Sequence, residues 1–499
     1  MPSVTINGVE KTVPEGTGIG SLLAGTGIMG MPCGGHGRCG KCRVKVTGKV
    51  SSLCDREKAF LSGEEIRQGI RLACLVRAEG DCWVETGGEK AAGIRLEGDM
   101  PDIVLNPSFT SYGAAVDIGT TTLAARLYDR EGKVAAQASC MNPQSGWGAD
   151  VISRMEAAMG GAAEDIARAV RQSVDGLLEE LADSGGISYR KIDGVVVTGN
   201  TAMLHLFTGT SVEPLTHAPF AVKRSFDEKV NAACLGLTKV SPEAEVYFPP
   251  CAGAFVGADL VTALLASGIR NKKGAWILVD IGTNGEMALL HGGRFFFCST
   301  AAGPVFEGAG ISRGMAGRPG AIDRVELRGG KTEVHVIGNI PPRGICGSGV
   351  VDAVACLLEG GYIDETGYME KEEVLIAPDV PFTQKDVRMV QLAKSAIHAG
   401  IRTLLHIAGI GCGDVSGLLI AGGFGSFLNV ENAGRMGLLP EELTSGVRVI
   451  GNAALSGAAM LLLNPAYRRD CRDYASRGEV VELSCHPFFA REYMDRMSF

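Results

Sequence analysis

Four cysteines carry the first piece of chemistry in this sequence. Cys33, Cys39 and Cys42 lie in the glycine-rich stretch "MPCGGHGRCGKC", and Cys74 follows much later in "RLACLVRA". Three thiolates from one loop and a fourth from a distant strand end can converge on a two-iron cluster, while the loop amides donate hydrogen bonds to its sulfides. The same set could take zinc, although a zinc ribbon presents two close pairs and only Cys39 with Cys42 qualifies. Cys54 and Cys82 are spares, Cys54 competing for one ligand position. A second chemistry lies in two matching turns, "AAVDIGTTTLAARLYD" at 114–129 and "AWILVDIGTNGEMALL" at 275–290. Asp117 and Asp280, each at a strand end, can hold hydrated Mg²⁺. Gly119 and Gly282 let backbone amides approach phosphate, and Thr120, Thr121, Thr122, Thr283 and Asn284 add donors. One such turn alone reads as a plain structural hairpin; two facing each other would grip a nucleotide's phosphates from both sides.

The elements that must position these groups are legible in pattern. "SVTINGVEKTV" alternates about Asn7-Gly8, which predicts a hairpin with a type I′ turn. "GIGSLLAGTGI" predicts a short helix ended by glycine, and "RVKV" (43–46) and "CWVET" (82–86) predict further strands. Together they form a β-grasp unit of about ninety residues, an ordinary domain size. Gly34, Gly35, Gly37 and Gly40 suit a loop wrapped tightly around inorganic sulfur. The two Asp-Ile-Gly-Thr hairpins are an internal repeat and imply two similar lobes. "GVVVTGNTAMLHL" (194–206) reads as strand, turn and helix start, "GLLIAGGFGSFLN" (417–429) as a buried strand running into glycines, and "VIGNAALSGAAMLLL" (449–463) as a turn leading to a helix. "GICGSGVVDAV" (344–354) is a glycine loop at a helix start, where Gly347 and Ser348 are candidates for lining a nucleotide pocket. His205 reads as a core histidine rather than a base.

The cysteine spacing resembles that of plant-type and adrenodoxin-type [2Fe-2S] ferredoxins, with five residues between the first two cysteines favouring the latter. The later motifs, taken in order, resemble the superfamily of acetate and sugar kinases, heat-shock chaperones and actin. That resemblance implies phosphate-1 at 117–122, connect-1 near 198–202, phosphate-2 at 280–285, an adenosine motif at 421–426 and connect-2 near 451–457. It places Gly422, Gly423, Gly425 and Ser426 against adenosine. "MNPQSGWGADVISRM" (141–155) and the ending "EVVELSCHPFFAREYMDRMSF" resemble segments of the reductive activators of corrinoid proteins. The resemblance implies a [2Fe-2S] cluster on Cys33, Cys39, Cys42 and Cys74, Mg²⁺ and ATP at Asp117 and Asp280, and an electron passed to an inactive Co(II) corrinoid protein to restore Co(I) for methyl transfer. It also implies an external low-potential reductant. ATP makes sense there, because plant-type clusters lie near roughly −400 mV, and each ~59 mV uphill costs a one-electron transfer tenfold. Nucleotide can help only by favouring one conformation over another. Asn200 and Glu286 are candidates for positioning the attacking water.

Fold class and domain organisation follow: an α/β multidomain chain with an N-terminal β-grasp ferredoxin domain (1–88), a linker (89–112), and a two-lobed actin-like, ribonuclease H-like ATPase with lobe I at 113–270 and lobe II at 271–499. Some family members have a further domain before the first phosphate hairpin, and here only the linker intervenes. A net charge of −8 without a Lys/Arg run excludes an ordinary nucleic-acid binder. The first residues lack a signal peptide's basic start and apolar core, and no apolar run has membrane-spanning length, so a cytoplasmic protein is expected. In that reducing compartment disulfides give way to ligation or burial, and the other eleven of the 15 cysteines are expected to be small core residues. A homodimer is compatible with the sequence. The competing readings are a small-molecule kinase of the same superfamily carrying a redox cluster, and a ferredoxin-type electron carrier or nucleotide-driven assembly protein.

Overall fold

The computed structural model describes residues 1–23, 35, 37, 40, 42–86, 96–329, 331–423 and 428–499. Its first module is a five-stranded sheet in the order Val9–Thr12, Ser3–Ile6, Ala78–Thr86, Arg43–Val50, Ile70–Leu72. Asn7 and Gly8 both take positive φ between the first two strands, as a type I′ turn requires. Ser3–Ile6 pairs in parallel with the late strand Ala78–Thr86, which closes the β-grasp. The helix Ile19–Leu23 lies against the sheet, and Val4, Ile6, Ile19, Leu23, Val44, Leu72 and Val84 form the core. The expected end of that helix lies outside the described residues.

Two lobes of like construction follow. The first sheet runs Glu228–Asn231, Glu245–Phe248, Ile192–Gly199, Tyr112–Ile118, Thr122–Tyr128, Val134–Met141; the second runs Val447–Gly451, Val415–Ala421, Ala275–Ile281, Gly285–His291, Arg294–Thr300, Glu479–Val480. In each, the strand carrying the key aspartate pairs antiparallel with the strand after its turn and parallel with a later strand. This is the repeat read from the sequence, now as two actin-like halves.

Alternation along the second sheet divides its faces. Ile277, Val279 and Ile281 join the outer core with the helices Gly347–Glu359 and Gln384–Ala408, whereas Leu278, Ala288, Leu290, Phe297 and Leu419 face inward. The inner core also takes Ala115, Ala124 and Val196 from the first sheet. The helices Ala258–Ser267 and Ala453–Leu463 fill it and pack closely on each other. Their approach depends on Gly457, where a Cβ would lie 1.9 Å from the Thr262 carbonyl oxygen.

From residue 96 the segment before the first phosphate hairpin is docked on lobe II through backbone bonds. Asp99 N donates to Ile450 O (2.9 Å), Asn106 N to Leu463 O (2.9 Å) and Ser108 N to Leu462 O (3.1 Å). Leu96 and Phe109 are buried. The expectation that the remaining eleven cysteines are buried needs correction: Cys54, Cys234 and Cys485 are exposed and Cys140 is half-buried. Small apolar neighbours such as those in "NAACLGL" do not say which side of a turn faces water. Among the described residues, no helix is long and apolar enough to cross a membrane.

Candidate functional site

The cysteine site is assembled by long-range packing. Cys33 and Cys39 lie outside the described residues; Cys42 and Cys74 are within them, and their sulfurs come to 3.2 Å. The Cys42 thiol is lowered to about 7, chiefly by its hydrogen bond with Cys74 and against the opposing effect of burial. Gly35, Gly37 and Gly40 hold positive φ (78°, 65° and 63°), so the loop follows a path that favours glycine. Phe60 lies against Gly40, and Leu75 against Gly37. Arg43 pins the loop, donating to Gly40 O, to Phe60 O (2.7 Å) and to Glu65 (2.8 Å).

Behind Cys74 sits a buried ion pair. Glu57 accepts from Arg71 Nε (2.8 Å) and Nη2 (2.7 Å), from Leu72 N (3.1 Å) and from Cys54 N (3.2 Å). Burial alone would raise the Glu57 carboxyl, but these donors hold it below the usual carboxylate range. Ala73 N bonds Cys42 O (2.8 Å), and Gly20 N bonds Ala73 O (2.7 Å), so the backbone beside both ligands is fixed. Two converging thiols, positive-φ glycines and a clamped fourth-ligand segment fit a thiolate-held cluster. Cys54 is exposed and Cys82 buried in the core.

The second site is the cleft where the two hairpins meet. Gly119 N bonds Thr122 O (3.0 Å), and Gly282 N bonds Asn284 O (2.9 Å), giving the same tight turn in both lobes. A Cβ on Gly119 would lie 2.7 Å from Thr122 O. The hydroxyls of Thr121 and Thr283 are 3.2 Å apart across the cleft. Thr120 is buried and receives Asn200 Nδ2 at 3.1 Å. Asn200 Oδ1 caps the helix Thr201–Thr208 through Met203 N (2.9 Å), so its amide braces the phosphate-1 turn. His205 is fully buried, with Nδ1 on Thr201 O at 2.8 Å, as a core histidine.

Asp117 receives Asn452 Nδ2 at 3.2 Å, which draws the connect-2 turn to the phosphate-1 strand. Gly422, at φ 96°, sits so close to the phosphate-2 strand that a Cβ would lie 2.6 Å from Ile281 O and 2.7 Å from Asp280 Oδ1. Gly423 has open space beside it, whereas Gly425 and Ser426 lie outside the described residues. Ser348 donates to Asp323 O (3.0 Å) at the start of the helix Gly347–Glu359. Among the described residues, neither Gly347 nor Ser348 hydrogen-bonds to a phosphate turn.

Sequence reasoning missed two acids that complete the cleft. Asp259 stands in the first turn of Ala258–Ser267, and Glu307 ends the short turn Pro304–Glu307. Asp259 reads in sequence as an ordinary acid in a helix's first turn, and Glu307, between glycines, carries no signal. Burial pushes Asp117 up to about 7, with the charge of Asp259 adding to it. Burial likewise pushes Asp280 up to about 8, reinforced by Asp259, Asp117 and Glu307. Asp259 rises to about 6 by burial, and Glu286, directly opposite Asp280 in the hairpin, rises well above its ordinary value through burial and then Asp259 and Asp280. Enclosed carboxyls that raise one another are a set a cation would stabilise. Among the described residues no three His, Cys, Asp or Glu side chains converge to hold a metal alone. Mg²⁺ needs only one or two carboxylates when waters and phosphates supply the rest, so this donor set suits it.

Comparison with known proteins agrees with both sites. Residues 4–79 match the 2Fe-2S iron-sulfur cluster binding domain, 112–272 the RACo middle region, and 275–499 the C-terminal domain of RACo, described as the ASKHA domain. The chain is 36% identical over 421 residues to the corrinoid activation enzyme RamQ of Eubacterium limosum, covering 78% of this chain and 70% of that protein. It is 27% identical over 430 residues to the [Co(II) methylated amine-specific corrinoid protein] reductase of Methanosarcina barkeri, covering 78% and 77%. A solved structure of a reductive activator for corrinoid, iron-sulfur protein superposes with a TM-score of 0.74 at 28% identity, covering 100% of this chain and 98% of that one. With its domain matches and these relatives in agreement with the two sites, the chain belongs to the family of corrinoid activation enzymes.

Proposed function

We propose that this chain is an ATP-hydrolysing iron-sulfur reductase that returns an inactive Co(II) corrinoid protein to Co(I) for methyl transfer. The observation that carries the reading is the union, in one chain, of a convergent thiol loop and two phosphate turns that meet hydroxyl to hydroxyl across a cleft. Cys33, Cys39, Cys42 and Cys74 hold the [2Fe-2S] cluster, which when bound supplies one electron at a time. Arg43 keeps the loop's backbone in place around it, and the Glu57–Arg71 pair holds the segment that leads to Cys74. The turns at 119–122 and 282–284 bind phosphates, and Asp117 and Asp280 hold Mg²⁺, whose charge relieves the enclosed carboxyls. Glu286 lies among those carboxyls and is the candidate to position the attacking water. Gly422 and Gly423 let adenosine lie against backbone.

The helices Ala258–Ser267 and Ala453–Leu463 share their core with both sheets. Nucleotide binding favours the lobe arrangement that engages the corrinoid partner, and hydrolysis releases it. The partner is the corrinoid protein of a methyltransferase system, and the electrons come from an external low-potential reductant. The organisation that serves this function is a ferredoxin domain at 1–88, a connecting segment at 89–112 and ATPase lobes at 113–270 and 271–499. The test is anaerobic: reduced protein, Mg-ATP and a Co(II) corrinoid protein, with Co(I) followed by its visible absorbance. Formation of Co(I) only with Mg-ATP supports the reading. ATP turnover stimulated by a small acceptor and indifferent to corrinoid protein would replace it with a kinase.

A further inference from the structure

The threonines at the two phosphate turns already hold a carboxyl group, and it is part of the protein. Thr283 donates to both carboxylate oxygens of Glu307, at 3.0 Å each, and Thr121 donates to Oε2. Thr121 belongs to lobe I, whereas Thr283 and Glu307 belong to lobe II, so this carboxylate ties the lobes together. Glu307 is fixed from its own side. Gly303 N bonds Thr283 O at 2.8 Å, and Gly308, at φ 75°, lies so close to Met315 that a Cβ would sit 2.0 Å from its carbonyl oxygen.

A positive charge stands on the lobe I side. Arg154 is fully buried, and among the described residues its guanidinium hydrogen-bonds to neutral groups, Gly148 O at 2.9 Å and Met203 Sδ at 3.3 Å. Its Nη2 has no hydrogen-bond partner among the described residues. Asn142, from the same 141–155 segment, bonds the phosphate-1 turn twice, through N to Thr121 O and through Nδ2 to Gly119 O, both at 2.8 Å. Asn142 and Arg154 both touch Met203 Sδ, which places the guanidinium beside the base of that turn. Burial raises the Glu307 carboxyl and lowers the Arg154 guanidinium; the threonine bonds and then the charge of Arg154 act against the first shift, and the charges of Asp150 and then Glu307 against the second.

We infer that Glu307 competes for the terminal-phosphate position of the cleft, and that a nucleoside triphosphate binds by displacing it from Thr121 and Thr283. The inference rests on the nucleotide reading of the cleft given above. Two anions cannot share the same two hydroxyl protons, so each phosphate bond formed there costs a Glu307 bond. Arg154 supplies a standing positive field that serves whichever anion is present. Glu307 therefore acts as a positioning residue that sets the cost of nucleotide entry and couples it to loosening of the lobe contact.

The experiment measures Kd for ATP, ADP and adenosine with Mg²⁺ on the full chain by calorimetry, in wild type, Glu307→Gln and Glu307→Asp. Loss of one charge-assisted competitor bond predicts ATP binding about tenfold tighter in Glu307→Gln. The gain is smaller for ADP and absent for adenosine, and Glu307→Asp falls between wild type and Glu307→Gln. Melting curves establish that each variant folds. Unchanged or weaker ATP binding in both Glu307 variants, or equal gains for all three ligands, overturns the inference. A loss of hydrolysis at unchanged affinity overturns it in favour of a water-positioning role. Wild type that binds none of the ligands overturns the nucleotide reading itself, and this inference with it.

Discussion

Exchanging Glu57 for glutamine tests whether the cluster loop depends on a buried ion pair remote in sequence from the three-cysteine loop. The Glu57 side chain is 1% exposed and that of Arg71 is 11% exposed, so neither charge is screened by water once its partner is gone. Glutamine keeps the size but turns one acceptor oxygen into a donor that faces Arg71, Leu72 N or Cys54 N. Breaking one side of such a pair costs about 3–5 kcal/mol, because a desolvated charge is left uncompensated. With a urea dependence of about 1.5 kcal/mol per M for a module of this size, the midpoint falls by roughly 2–3 M. The assay is loss of visible circular dichroism from the reconstituted cluster across a urea series, since Arg71 and Leu72 lead directly into Cys74. The double variant with Arg71→Met recovers part of the loss by removing the stranded guanidinium. A midpoint moved by less than about 0.5 M would refute the reasoning, because the pair would then be doing no more than a surface salt bridge.

Three further outcomes follow from the same packing. Gly457→Ala puts a methyl 1.9 Å from a backbone oxygen and forces two helices apart, so it lowers stability by about 3 kcal/mol or more, read as a fall in melting temperature. Lys394 is buried and donates to Ser498 O; burial, followed by the charge of Arg496, lowers its amine from 10.5 to about 7. The unfolded chain still takes up that proton above pH 7, so stability rises between pH 7 and about 10.5, by up to about 1.4 kcal/mol per unit; amide protection factors in 384–408, corrected for the intrinsic exchange rate, rise accordingly, and Lys394→Met flattens the trend. Asn452→Ala removes both the Asp117 contact and a helix cap on Leu455 N, and costs about 1 kcal/mol of stability together with weaker Mg-ATP binding by calorimetry.

What the sequence disclosed was mostly local. A turn of Asp-Ile-Gly-Thr dictates its own geometry, so both hairpins and their repetition could be read directly, and Asn7-Gly8 announced its hairpin for the same reason. Partnerships across the fold were harder. Cys42 and Cys74 could be matched because four thiols make one recognisable set. Asp259 and Glu307 could not be tied to Asp117 and Asp280, since each comes from an element whose own pattern says nothing about the cleft. The stretch 96–111 looked like a linker because backbone bonds, which leave no side-chain periodicity, dock it on lobe II. Arg154 lay inside a stretch singled out by resemblance, yet only its burial and its Met203 contact show where its charge goes.

The most direct test of the account is a single-turnover electron count. Wild type reduced beforehand to one electron per chain, freed of excess reductant and mixed with a Co(II) corrinoid protein, should lose its reduced-cluster spectrum as Co(II) disappears. Both changes should have the same amplitude, require Mg-ATP and vanish in Cys74→Ser. Loss of Co(II) that proceeds equally without nucleotide, or nucleotide hydrolysis with no matching cluster oxidation, would contradict it.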